Sequence, residues 1–165
     1  MTLTYHLGDI TTSTAQVIVN AANSGLARGG GVCGAIFAAA DRVSMGSTLA
    51  AECARRAPCP TGSAVTTNAY GVHAKHIIHA VGPVWSKSNF TGSSLNAQGL
   101  ADLQLLEQTY HSIFVEMSTI GADSVAIPAI STGIFGLPKD LGAITAYRVC
   151  TQFEKKFHIE LWTYS

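Results

Sequence analysis

The stretch from Asn20 to Gly34 combines two amide side chains with a run of glycines, a combination typical of anion binding. Three consecutive glycines, Gly29 to Gly31, cost conformational entropy and contribute no packing, so a local requirement must offset that cost. Glycine lets a bare N–H group approach a ligand, and a helix that begins just afterwards presents its positive end. The pattern predicts an anion-binding loop. A flexible surface turn is the alternative that this stretch alone leaves open.

A second loop with glycines, Ser131 to Gly136, occupies an equivalent place later in the chain. It follows an apolar strand pattern and precedes a helix pattern, as the first loop does. In alternating α/β sheets, ligands bind at the carboxyl ends of the strands, where both loops would lie. Two such loops predict one phosphate-bearing ligand, such as a diphosphate.

The glycines do not match the standard nucleotide motifs well. Gly29, Gly31 and Gly34 have the spacing G-x-G-x-x-G, but eight residues separate them from the strand end at Asn20. In the dinucleotide fingerprint the glycines follow the strand directly, and the acidic residue comes about 20 residues later. Here that acidic residue, Glu52, falls within a predicted helix. A Walker-type loop is excluded because no Gly-Lys-Ser/Thr follows.

Strand and helix patterns alternate around both loops. The strand patterns cover Thr2–Leu7, Gln16–Asn20, Ala64–Asn68, Lys75–Val81, Ser124–Ile130 and Ile159–Tyr164, and the helix patterns cover Val32–Ala40, Ser47–Arg56, Leu100–Ile120 and Pro138–Phe157. Between them, Ser86 to Gly99 is predicted as a polar loop. The alternation predicts an α/β fold with helices on both faces of a mixed, largely parallel six-stranded sheet. The strand at Ser124–Ile130 is apolar almost throughout, which predicts a central position.

Composition narrows the classes of function. The 165 residues are expected to form a single domain, and the formal net charge of zero disfavours binding to nucleic acid. No apolar run reaches the length of a membrane span and no N-terminal secretion pattern is present, so we expect a cytoplasmic protein with no membrane partner. The four cysteines lack CxxC spacing and the histidines lack metal-ligand spacing, so neither a metal nor a cofactor is predicted.

Five motifs resemble those of the macro domain family and occur in the family's order between Leu7 and Phe157. They are Gly8-Asp9-Ile10-Thr11, Val19-Asn20-Ala21-Ala22-Asn23, Gly29-Gly30-Gly31-Val32, His79 to Trp85, and Ile127 to Gly136. Cys59-Pro60-Thr61-Gly62 and the phrase from Ser131 to Pro138 are similar to the MacroD-type branch. The resemblance implies a three-layer α/β/α macro domain over residues 1–165, either a monomer or a module of a larger protein. Family members usually continue into a further helix after the sixth strand, where this sequence ends.

The resemblance implies that the ligand is ADP-ribose, alone or on a mono-ADP-ribosylated protein. Asp9 would accept a hydrogen bond from the adenine amino group beside the Ile10 backbone, and Tyr164 would lie against the adenine. Asn23 would hold the distal ribose, with Phe135 packed against that sugar. Backbone N–H groups would wrap the diphosphate, and these belong to Gly29, Gly30, Gly31, Val32, Ser131, Thr132, Gly133, Ile134 and Phe135.

Several of these residues also have a local interpretation that the sequence leaves open. Asp9 directly after Gly8 is typical of a turn. Asn20, placed in the binding motif by the resemblance, is equally consistent with organising the loop from inside. Phe135 fits a core position, and Tyr164 fits an exposed position close to a chain end.

Cys33 stands where the MacroD-type branch carries an aspartate that activates or positions the attacking water. Thiols are mostly protonated near neutral pH, so a cysteine is a poor replacement for a carboxylate base. Phe37 stands where that branch commonly carries histidine. Positioning and electrostatics can still orient a water, so the resemblance implies a hydrolase with Asn23, Gly31 and Cys33 as its catalytic candidates.

The implied reaction removes mono-ADP-ribose from acidic side chains of proteins, or an acyl group from O-acyl-ADP-ribose, without a metal. The alternative is a reader that binds ADP-ribose without turnover, which Cys33 and Phe37 favour. RNA or poly(A) binding is a weaker hypothesis because the chain carries no net charge.

Overall fold

A six-stranded sheet lies between two layers of helices in the computed structural model, which describes residues 1–43 and 46–164. The eight strands are β1 (Leu3–Leu7), β2 (Val17–Ala22), β3 (Ala64–Asn68), β4 (His76–Val81), β5 (Phe90–Thr91), β6 (Ser94–Leu95), β7 (Ser124–Pro128) and β8 (His158–Thr163). Within the described residues the α-helices are α1 (Gly31–Ala40), α2 (Leu49–Arg56), α3 (Ala97–Ile120) and α4 (Lys139–Cys150), and short 3-10 helices cover Ile10–Thr12 and Lys87–Asn89. This arrangement confirms the predicted three-layer α/β/α fold.

The order of strands in the main sheet is β1-β8-β7-β2-β4-β3. Every neighbouring pair is parallel except β3 and β4, which are antiparallel. The strand β7 is internal, as its apolar sequence predicts. Because β2 and β7 are adjacent and parallel, the loops that follow them emerge at the same edge of the sheet.

Alternation along the strands divides the core into two apolar layers. Val17 and Val19 of β2 pack with α3 and α4, whereas Ile18 and Ala22 pack with α1 and α2. The α3 side is the larger cluster, and its helix contributes Leu106, Tyr110, Ile113, Phe114 and Met117. Since both faces are covered, the internal strands are buried almost completely, and polar side chains within them need partners inside the protein.

The prediction that the last helix extends to Phe157 is wrong, because α4 ends at Cys150 and residues 151–157 form hydrogen-bonded turns. The reason is aromatic packing. Phe153 stacks on Phe114 with ring centroids 4.4 Å apart, and Phe157 stacks on the same ring at 5.6 Å. Phe153 and Phe157 have the spacing of a helix face, but their rings pack residues 151–157 against α3 as turns.

Several other boundaries differ from the sequence patterns by a few residues. The helix pattern that begins at Ser47 starts two residues later in the structure: α2 begins at Leu49 and is capped by Thr48, whose hydroxyl accepts a hydrogen bond from Ala51 N at 3.1 Å. The segment predicted as a polar loop contains the small hairpin of β5 and β6 and the beginning of α3. No helix within the described ranges has the length and apolar character needed to cross a membrane.

Candidate functional site

A cleft of about 590 Å³ opens at the carboxyl ends of the parallel strands. This volume lies within the range of roughly 300–1,000 Å³ that is usual for small-molecule sites. Both loops singled out in the sequence line it, through residues 29–33 and 131–135. They approach each other closely, since a Cβ on Gly30 would lie 3.3 Å from Ile134 Cδ1. The fold thus brings the two glycine loops together at one site.

Neither helix that starts at this cleft has a capping side chain at its N-cap residue, which is Gly30 in α1 and Pro138 in α4. In the first turn of α4, however, Asp140 Oδ1 accepts from Leu141 N at 2.9 Å, whereas the first turn of α1 has no acidic residue. By contrast, Thr48 caps α2 and Asn96 caps α3, both away from the cleft. The first-turn N–H groups of a helix need acceptors, and those of α1 face a site where an anion can supply them.

The structure places most of the predicted ligand-binding residues around this cleft. Those that line it are Ile10, Asn23, Gly29, Gly30, Gly31, Val32, Cys33, Ser131, Thr132, Gly133, Ile134, Phe135 and Tyr164. Asp9 and Asn20 are not among the lining residues. Asp9 is exposed beside Ile10, and its Oδ1 accepts hydrogen bonds from Thr11 N at 2.9 Å and Thr11 Oγ1 at 2.7 Å.

The side chain of Asn23 pairs with the backbone of Ala27, four residues further along the first loop. Its Nδ2 donates to Ala27 O at 2.9 Å, and its Oδ1 accepts from Ala27 N at 3.0 Å. A paired contact of this kind fixes the plane of the side-chain amide. One hydrogen of Nδ2 therefore remains for a ligand at the cleft, held in a defined direction.

Ser131 begins the second loop in a strained conformation. Its φ is 67°, in the left-handed region, and its buried Oγ has no protein partner among the described residues. Gly82 makes room for it, because a Cβ there would collide with Ser131 Oγ and Ile130 Cγ2. On the other side of the loop, Trp85 N donates to Phe135 O at 2.8 Å. The motif from His79 to Trp85 therefore supports the second loop.

Cys33 is 6% exposed and its sulfur is a junction of polar contacts under the first loop. Gly29 N donates to Sγ at 3.4 Å and Asn20 Nδ2 donates to it at 3.6 Å, while Sγ itself donates to Ala27 O at 3.8 Å. Phe37 is buried in the core on the α1 side of the sheet. Cys33 therefore borders the cleft with its sulfur turned into the loop.

Asn20 and His79 form a polar pair inside an apolar layer. They are register partners on β2 and β4, with Asn20 Nδ2 3.0 Å from His79 Nδ1. His79 Nε2 lies 2.9 Å from Thr67 Oγ1 on the neighbouring strand β3. Burial lowers the pKa of His79 from 6.5 to about 4, so the ring is neutral at physiological pH.

Ionisable groups are sparse around the cleft. Within the described ranges no aspartate, glutamate or histidine lines it; the ionisable lining residues are Tyr5, Cys33, Tyr110, Lys139 and Tyr164. The described residues also contain no group of three His, Cys, Asp or Glu side chains placed to hold a metal. The chemistry that this surface offers is anion binding by backbone N–H groups, with Lys139 as a positive charge at one side.

Sequence reasoning missed the wall that α4 contributes. Lys139, Gly142, Ala143 and Ala146 line the cleft from one face of this helix. A signal was present in the small residues, because a Cβ on Gly142 would collide with Thr132 Cγ2 of the second loop. Small side chains at a helical spacing can mark a face that must stay close to a loop.

Comparison with known proteins identifies the family. The family model described as "Macro domain" matches residues 19–146. The chain belongs to the macro domain family. Proteins named O-acetyl-ADP-ribose deacetylase are among its relatives: the one from Klebsiella pneumoniae is 42% identical over 156 residues, which cover 92% of this chain and 81% of that protein. The one from Escherichia coli is 40% identical over 146 residues, covering 88% and 76%.

Solved macro domain structures superpose closely on this one. A mutant of the Oceanobacillus iheyensis macrodomain with ADPR has a TM-score of 0.82 at 30% identity, covering 98% of this chain and 84% of that chain. The Trypanosoma brucei macrodomain in complex with ADP-ribose has a TM-score of 0.80 at 26% identity, covering 99% and 64%.

The neutral His79 predicts that this macro domain loses stability in mild acid. The unfolded chain takes up a proton near pH 6.5 and the folded chain only near pH 4, so stability from this group is present above pH 6.5 and lost as the pH falls toward 4. The full loss is about 3 kcal/mol, since one pH unit corresponds to about 1.4 kcal/mol.

Urea unfolding of the wild type and of His79→Leu at several pH values measures this loss. The free energy of unfolding of the wild type, taken relative to that of His79→Leu, should stay constant above pH 6.5 and fall by about 3 kcal/mol as the pH is lowered to 4. His73→Gln, which changes an exposed histidine, is the control and should follow the wild type. Parallel curves for wild type and His79→Leu would contradict the prediction.

Proposed function

We propose that the chain binds ADP-ribose in the cleft and acts as a hydrolase on O-acetyl-ADP-ribose and on mono-ADP-ribose attached to acidic side chains of proteins. The observation that carries the proposal is the beginning of α1 at the cleft, where the N-cap residue Gly30 has no side chain to cap the helix. A diphosphate supplies acceptors to such an N-terminus. The deacetylase names of relatives at 40–42% identity support the reaction class.

The lining residues suggest how the ligand is oriented. The adenine would lie near Ile10 and Tyr164, where Asp9 can accept from its amino group through Oδ2, since Oδ1 is taken by Thr11. The diphosphate would lie between residues 29–33 and 131–135. The distal ribose would then reach Asn23, which lines the cleft and has one amide hydrogen not used by Ala27.

Hydrolysis here would depend on positioning. Because no carboxylate or imidazole among the described residues lines the cleft, the attacking water would be oriented by the bound substrate and by backbone groups. In deacetylation, the water oxygen adds to the acyl carbon and the ribose oxygen leaves with a proton. Backbone N–H groups of the first loop would stabilise the negative charge that develops on the acyl oxygen.

One observation favours the second candidate, a reader without turnover. Cys33 offers no base, since its sulfur accepts from Gly29 N and Asn20 Nδ2 and is turned into the loop. Binding is expected of both candidates, so turnover distinguishes them.

The deciding experiment incubates the protein with O-acetyl-ADP-ribose and, separately, with a glutamate-linked mono-ADP-ribosylated protein. Release of acetate or of ADP-ribose is followed, and ADP-ribose affinity is measured by calorimetry on the same preparation. Turnover with binding supports the hydrolase. Tight binding without turnover on either substrate identifies a reader, and absence of binding removes both candidates.

Gly30→Glu is expected to abolish ADP-ribose binding while the protein stays folded. The Gly30 backbone, with φ −88° and ψ −170°, accepts any residue, and only the tip of the exposed Ile134 side chain must shift. A carboxylate at the start of α1 suits the helix dipole, yet it occupies the place of a phosphate and repels it.

Calorimetry on Gly30→Glu, Gly30→Gln and Gly30→Ala separates charge from bulk. We expect loss of binding in the first, a smaller effect in the second and near wild-type binding in the third. Retained affinity in a folded Gly30→Glu protein would show that this loop is an ordinary turn.

Asp9→Asn is expected to weaken ADP-ribose binding by about 1–3 kcal/mol, the range for a lost hydrogen bond to a charged group. The amide oxygen keeps the contacts with Thr11, whereas the NH2 group that replaces Oδ2 would face the adenine amino group, also a donor. Thr11→Val is the matched control, because it removes a partner of Asp9 and leaves the carboxylate. Equal affinities for wild type and Asp9→Asn would place the adenine elsewhere.

Asn23→Ala is expected to lose about a hundredfold or more in turnover, because the distal ribose is no longer held close to the water. Cys33→Ala should stay within about tenfold of the wild type, since the thiol supplies no essential proton transfer. Rates on O-acetyl-ADP-ribose, read beside ADP-ribose affinity, test both. A Cys33→Ala protein with normal affinity that loses far more than tenfold in turnover would overturn this mechanism.

A further inference from the structure

A chain of hydrogen bonds runs through the buried layer beneath the first loop. It begins at Thr67 on β3, passes through His79 on β4 and Asn20 on β2, and ends at Cys33 of α1. The successive contacts are 2.9 Å, 3.0 Å and 3.6 Å long. We call these four side chains the buried polar chain.

The direction of every hydrogen bond in the buried polar chain can be assigned. Because Asn20 Nδ2 is a donor only, His79 Nδ1 accepts and the ring proton lies on Nε2, which faces Thr67 Oγ1 and, at 3.7 Å, Cys53 Sγ. Thr67 Oγ1 donates its own hydrogen to Asn68 O at 3.0 Å and can therefore accept from Nε2. The second hydrogen of Asn20 Nδ2 goes to Cys33 Sγ.

Stability does not explain these polar residues. His79 and Asn20 are 0% and 1% exposed, in a layer otherwise built from side chains such as Ile18, Ile77 and Leu49. Burying polar groups there costs free energy, and Asn20 Oδ1 has no partner among the described residues. Apolar side chains of similar size would pack at these positions without that cost, so the polar chain serves another purpose.

That purpose is found where the buried polar chain ends, in the first loop. Cys33 Sγ accepts from Gly29 N and donates to Ala27 O. Ala27 O also accepts from Asn23 Nδ2, so the contacts continue from the buried layer to the side chain at the cleft. The loop itself has glycines at residues 29–31 and cannot fix its own conformation by side-chain packing.

We propose that His79 and Asn20 are positioning residues that hold residues 27–29 and Asn23 in place through the sulfur of Cys33. The expected effect on turnover rests on the proposed function, whereas the expected effect on the conformation of the loop does not. A neutral ring is required, because a proton on Nδ1 would face the Asn20 amide hydrogens, and the low pKa of His79 keeps it neutral.

This role accounts for a cysteine at position 33. A thiol both accepts and donates, so it can take N–H groups from Gly29 and Asn20 and still donate to Ala27 O. A carboxylate at the same place could only accept and would face the Ala27 carbonyl oxygen. The sulfur is thus suited to joining the loop to the buried layer.

The loop contacts can be measured without substrate. In the wild type, imidazole ¹⁵N shifts report which ring nitrogen of His79 carries the proton; we expect Nε2, and a proton on Nδ1 overturns the proposal. In His79→Leu, the exchange of the Gly29 amide hydrogen is expected to rise about tenfold as the loop loosens. Alkylation of Cys33, followed by peptide mass spectrometry, should accelerate in parallel.

Two further variants separate positioning from general destabilisation. Thr67→Val removes a hydrogen bond from the same ring on the side away from the loop, and should leave Gly29 exchange and Cys33 alkylation within about twofold of the wild type. Asn20→Leu removes the link of the buried polar chain next to Cys33 and should reproduce the His79→Leu result. This variant keeps the test available if His79→Leu does not fold. Equal exchange in His79→Leu, Asn20→Leu and wild type overturns the proposal, as does an equal rise in Thr67→Val.

The kinetic consequence is a fall in kcat of about tenfold in His79→Leu with a smaller change in ADP-ribose affinity, because the loop must be in place for reaction more than for binding. His79→Asn, whose Oδ1 can replace Nδ1 as acceptor for Asn20, should recover part of kcat. If the wild type shows no turnover, the hydrolase proposal fails while the exchange and alkylation results still decide this one. A kcat that His79→Leu leaves unchanged, in a protein with wild-type turnover, overturns the positioning role.

Discussion

The first-turn N–H groups of α1 lie at the cleft with no side-chain acceptor among the described residues, and the rest of the site follows from that constraint. A capping side chain at Gly30 would satisfy them and fill the space where an anion can bind. To leave these N–H groups accessible, the helix begins with glycine, and its end stays less stable until a ligand binds. Helices α2 and α3, which start elsewhere, carry the usual side-chain caps. The contrast between Gly30 at the start of α1 and the side-chain caps of α2 and α3 distinguishes what binding requires from what helix stability requires.

A loop made of glycines has to be held by its surroundings, and the sheet supplies that support from below. Asn23 is tied to Ala27, and Cys33 joins the loop to Asn20 and His79 in the buried layer. The second loop is held similarly, by the missing side chain at Gly82 and by the hydrogen bond from Trp85 N to Phe135 O. Each support comes from a strand or from the residues directly after one. Binding groups on loops thereby gain the rigidity of the sheet.

The lining of the cleft has few charged side chains, and this shapes both specificity and chemistry. Lys139 is the one formally charged side chain among the described lining residues, and the chain as a whole carries no net charge. Long-range electrostatic attraction therefore contributes little, and recognition depends on the geometry of N–H groups at short distance. In the proposed hydrolysis, catalysis would come from orientation, because the described lining offers neither a carboxylate nor an imidazole.

Local patterns in the sequence determined the α/β class, the positions of the six strands of the main sheet, the two glycine loops and the family, because strand alternation, glycine runs and ordered motifs are properties of neighbouring residues. Only the tertiary structure decided where the polar side chains point. Asn20 and Asn23 are three residues apart, yet Asn20 lies in β2 and faces His79, while Asn23 follows the strand and reaches the cleft. The partner of Asn20 is 59 residues away in sequence, and the rings of Phe153 and Phe157, which end α4 early, find theirs on α3. Contacts over such separations depend on strand order and packing, which no local pattern encodes.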